Sequence, residues 1–63
     1  MAQVDEIRDR LHQISEDLAD LAVSLLSRAV NTDEEPERVA LANQEKRVTK
    51  ARRAVEKAVD TLS

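Results

Sequence analysis

The chain has no glycine, no cysteine and no aromatic residue, and it has a single proline. Without glycine there is no glycine-rich loop to cradle a phosphate. Without cysteine there are no disulfides, thiolate metal sites or thiol nucleophiles, and nothing points outside a reducing compartment, so a cytoplasmic location is expected. Without Phe, Tyr or Trp there is no platform on which nucleic-acid bases could stack. Long apolar runs are missing as well. The most apolar stretch, LADLAVSLLSRAV, is interrupted by Asp20, Ser24, Ser27 and Arg28, well short of the roughly 20 apolar residues that a membrane span requires. The opening MAQVDEIRDRLHQ reaches acidic residues at once and lacks the apolar centre of a secretion signal. A chain without a membrane partner is expected.

What remains is 63 residues rich in good helix formers, 37% of them charged, enough for one small domain. In the first half Val4, Ile7, Leu11, Ile14, Leu18, Leu21 and Leu25 recur at alternating steps of three and four, the a/d spacing of a heptad seam. In the second half Leu41, Gln44, Val48, Ala51, Val55, Ala58 and Leu62 repeat those steps with smaller side chains and one polar interruption. Between them NTDEEPE breaks the pattern. Asn31 suits the left-handed residue that often ends a helix, Thr32 with Glu35 matches a capping box, and Asp33 or Glu35 are alternative caps. Each leaves Pro36 in the first helical turn, where its missing N–H costs little.

The pattern predicts an all-α fold: a single antiparallel helical hairpin spanning 1–63, with one helix over about 2–30, a connection over about 31–35 and a second helix over about 36–62. Each helix would be about 40 Å long. In the matching register Leu25 meets Leu41, Leu18 meets Val48, Leu11 meets Val55 and Val4 meets Leu62.

A seam of this size is small for a chain that must order its whole length. The first helix carries a second apolar stripe, Ala19, Ala22, Val23, Leu26 and Val30, beside its seam. Together with Leu18 these residues predict an oligomer interface, most simply a two-fold dimer forming a four-helix bundle. The same stripe could receive a helix of another protein.

Charge is divided unevenly. Residues 1–30 carry six acids and three bases, 31–37 carry four acids, and 38–63 carry seven bases against three acids. Lys46, Lys50, Arg53 and Lys57 step by four, three and four along the outer side of the second helix, a ridge that could bind an anion such as a nucleic-acid backbone. The competing expectation is a solvated face crossed by local pairs: Arg52 with Glu56, Arg53 with Glu56 and Lys57 with Asp60, while Arg47 reaches Asp17 of the first helix. Overall acidity and the lack of aromatics favour the solvated face.

Residues able to support catalysis are few. His12 is the sole histidine, three residues after Asp9 and four before Glu16, but all three fall off the expected seam, so an exposed histidine among acids is expected and no metal site. Ser15, Ser24 and Ser27 have no second histidine or paired base to activate them, and are expected on helix surfaces. IRDRLHQISEDLADL resembles the opening helix of the small all-helical chorismate mutases, a resemblance that implies an active-site role for Arg8. The second arginine of that family, seventeen residues on, would fall at Leu25, and the activity is not carried over.

Taken together, the residues point to a non-enzymatic helical interaction protein without cofactor, acting as a docking, scaffold or regulatory module. A nucleic-acid-associated accessory protein using the basic ridge is the second reading.

Overall fold

The computed structural model describes residues 3–63 and is all-helical. Helix α1 spans Gln3–Asn31 and helix α2 spans Glu35–Thr61, packed against each other as an antiparallel hairpin about its three-residue connection. The expected start of α1 at about residue 2 lies outside the described residues. The hairpin is 52 Å long and 14 by 11 Å across its Cα atoms.

The break between the helices follows from local chemistry that departs in two ways from the sequence expectation. No described residue has a positive φ, so Asn31 stays helical and α1 ends without a left-handed residue. Glu34 occupies the cap of α2 in extended conformation, with no side-chain cap bond, and Pro36 sits in the first turn. Thr32 works on the connection instead of closing a capping box with Glu35. Its Oγ1 accepts from the Glu34 N–H at 3.2 Å and donates to Glu37 Oε2 at 3.2 Å. Arg38 completes the turn by donating to the Thr32 carbonyl at 2.9 Å and pairing with Glu35 at 3.2 Å. One arginine thus ties the first turn of α2 to the segment leaving α1, and its cation meets a carbonyl near the negative end of the α1 dipole.

The buried core lies beside that connection. Leu25, Ala29 and Leu41 form one cluster, with Val48 packed against it. Leu18 and Val48 line a common groove one step further along. At the far end the helices are held differently, for Arg8 pairs with Asp5 at 3.0 Å and its Nη1 approaches the Leu62 carbonyl at 3.5 Å.

The seam itself is rotated from the one the heptads suggested. Val4, Ile7, Ile14 and Leu21 are exposed large apolar residues, and Ala51 is exposed as well. Leu11, Leu18, Val48, Val55, Ala58 and Leu62 are half-buried, and Leu25 and Leu41 are buried. The positions that α1 turns toward α2 are Leu11, Ser15, Leu18, Ala22, Leu25 and Ala29, again at alternating steps of four and three. Small residues at every seventh place, Ser15, Ala22 and Ala29, let the backbones approach closely, which favours this seam over one filled by Ile14 and Leu21.

Candidate functional site

The hairpin has two long sides, one on each flank of the seam. On the first, His12, Ser15 and Glu16 of α1 form a shallow groove with Arg52, Glu56, Val59 and Asp60 of α2. His12 Nε2 and Glu16 Oε1 lie 3.2 Å apart, and Arg52 Nε and Glu56 Oε1 lie 2.9 Å apart. These pairs join residues four apart on the same helix and are exposed, an arrangement that contributes little to stability. Asp9 does not join them, and among the described residues no three histidine or carboxylate side chains converge as a cation site would require.

Ser15 corrects its expected placement. It is buried at 5% exposure, whereas the sequence reading put it on a helix surface with Ser24 and Ser27, which are exposed. The signal was present in the spacing, since Ser15, Ala22 and Ala29 are small residues at intervals of seven on one line of α1.

Toward the connection this same side turns apolar. Val23, Leu26 and Val30 are exposed, and so is Val39 of α2, which the heptad spacing does not single out. Of the other residues expected in an oligomer interface, Leu18, Ala19 and Ala22 are half-buried, with Leu18 and Ala22 on the seam facing α2.

The second long side is the more apolar. Leu18, Gln44, Arg47, Val48 and Ala51 line one groove there, and Ala54, Lys57, Ala58, Thr61 and Leu62 line another nearer the chain's C-terminus. Ile14 and Leu21 lie along α1 on this flank, because each directly precedes a seam-facing position whereas His12 directly follows one, and Ile7 stands seven residues before Ile14 on the same line.

Of the cations of α2, Arg52 lines the groove of the first side and Arg47 and Lys57 line those of the second, whereas Lys46, Lys50 and Arg53 line none of them. Lys46, Lys50, Arg53 and Lys57 are all exposed. Arg52 pairs with Glu56, but among the described residues neither Arg53 nor Lys57 joins an ion pair, and Arg47 does not reach Asp17, which accepts from Gln13 at 3.1 Å instead. Leu25, where the second arginine of the chorismate mutases would stand, is the most buried large side chain, at 2% exposure. No described helix is long and apolar enough to cross a membrane.

Comparison with protein-family models, with curated proteins and with solved structures finds no match.

Proposed function

We propose that this protein is a helical interaction module that works by binding rather than by catalysis, and that its hairpins pair into a four-helix bundle. The observation that carries the reading is the amount of surface left open. A compact protein of 7.1 kDa exposes about 4,100 Å², whereas this hairpin exposes 4965 Å². The excess, on the order of 900 Å², matches the roughly 800 Å² that each partner buries in a standard protein interface. Its radius of gyration, 14.7 Å, likewise exceeds the about 11 Å of a compact chain of this length.

Large apolar side chains account for much of that surface. Val4, Ile7, Ile14, Leu21, Val23, Leu26, Val30 and Val39 are all exposed in the single hairpin, more than a small monomer ordinarily displays. Pairing through one side of the hairpin covers part of this surface without any new element of structure. Light scattering after gel filtration tests the reading. A species of twice the 7.1 kDa chain mass supports it, and a helical monomer at micromolar concentration overturns it.

The exposed ridge Lys46, Lys50, Arg53 and Lys57 supports a second reading, attachment to a nucleic-acid backbone. It requires binding that weakens steeply with salt, with a shallower salt slope after Lys50→Gln and Arg53→Gln. Absence of binding to duplex and single strands at low salt removes it.

A further inference from the structure

We infer that the second copy seats on the side of the hairpin bearing Ile14 and Leu21, about a two-fold axis that runs along the helices and brings both connections to the same end. This rests on the self-association reading and specifies its face and geometry.

The choice of side follows from charge. The opposite side is apolar only near the connection, and its other half holds Glu16, Glu56 and Asp60. An axis along the helices would lay that half over the same half of the second copy, and an axis across the helices would lay it over the apolar half. The first arrangement brings two net-acidic surfaces together, and the second strips Asp60 and the His12–Glu16 and Arg52–Glu56 pairs of water against apolar side chains. On the side bearing Ile14 and Leu21 the charged residues lining the grooves are Arg47 and Lys57, with no carboxylate among them.

The choice of axis follows from size and charge together. Residues seven apart form a line along a coiled helix. On this side α1 offers the line Ile7, Ile14, Leu21 and Arg28, and α2 offers Ala58, Ala51, Gln44 and Glu37. The clustering of Leu25 with Leu41 and the shared groove of Leu18 and Val48 set the two lines level, so that Ile14 stands across from Ala51 and Arg28 across from Glu37. An axis along the helices lays α1 of one copy over α2 of the other at equal height. Ile7 then falls on Ala58, Ile14 on Ala51, Leu21 on Gln44, and Arg28 reaches Glu37. Ile7 and Ile14 meet alanines, as interdigitating layers require, Leu21 lies against the stem of Gln44, and opposite charges close the end. Arg28 has no ion pair within its own hairpin among the described residues. An axis across the helices would instead lay α1 over α1, with Arg28 on Ile7 and Ile14 on Leu21.

Two measurements test this. The chain has no native cysteine, so Asp33→Cys carries one spin label per connection. With helices spaced about 10 Å apart, connections at the same end give a label separation under roughly 30 Å. A separation near the 52 Å length of the hairpin overturns the axis. Ile14→Glu and Leu21→Glu are each expected to weaken dimerisation by roughly a hundredfold in sedimentation, with Val23→Glu and Leu26→Glu leaving it within about threefold. The reverse ranking overturns the face. The label distance is read on a chain with every apolar side intact, so it decides even where the glutamate variants lose helicity. An unsubstituted chain that stays monomeric overturns self-association itself, a result distinct from a dimer with the wrong label distance or the wrong ranking.

Discussion

Ser15 is buried at the contact between the helices while its neighbour Ile14 remains 45% exposed, so the smaller and more polar of the two residues holds the inner position. Two helices in contact each use a narrow line of positions, and α1 has three apolar lines to choose from. The line of small residues permits the closest approach, and it displaces the isoleucine line to the flank. Ile14 is then available to a second hairpin. Packing inside the hairpin and the proposed association between hairpins would thus be two uses of one broad apolar face.

The inner position should tolerate only a small side chain. Ser15→Leu is expected to destabilise the protein by about 1–3 kcal/mol by forcing the helices apart, whereas Ser15→Ala should cost less than about 1 kcal/mol. Chemical denaturation followed by circular dichroism compares them. Equal stability for the leucine and alanine variants would contradict the close approach at this level.

The core beside the connection is small, so its largest member should matter disproportionately. Leu25→Ala is expected to cost about 2–5 kcal/mol, enough to unfold much of the population of a marginal chain. Val30→Ala, at a position 79% exposed, should stay within about 0.5 kcal/mol. Thermal unfolding of the two variants checks the contrast. A large effect at Val30 would show that the connection-proximal patch is covered.

Arg38 is the side chain that joins the start of α2 to the departing end of α1. Arg38→Ala should lower stability by about 1 kcal/mol, since the bonds it makes to the Thr32 carbonyl and to Glu35 are largely solvent-exposed. Hydrogen exchange should quicken in the first turn of α2 while the amides around Val48 keep their protection. Unchanged exchange in that turn would mean that Pro36 and Glu34 define the boundary without it.

The all-helical hairpin was legible because its determinants are local. Two runs of alternating three- and four-residue steps, one proline in the right turn and a polar connection leave few other folds, and the level at which Leu25 meets Leu41 follows from equal helix lengths. The rotation of the seam was not legible from hydrophobicity, because a search for apolar lines selects Ile7, Ile14 and Leu21 over a line that contains a serine. Attention to side-chain volume at every seventh residue would have found it. The connection was legible as a break but not in detail. Asn31 remains helical, and the bonds of Thr32 and Arg38 fix the connection that follows without a left-handed residue.

The proposed completion of this hairpin's fold by a second copy should make thermal unfolding depend on concentration. Circular dichroism melts over a hundredfold range of protein concentration should show a midpoint that climbs steadily with concentration, because dimer formation stabilises only the folded state. A midpoint independent of concentration, for a chain that sediments at 7.1 kDa and is fully helical, would show that the hairpin folds alone.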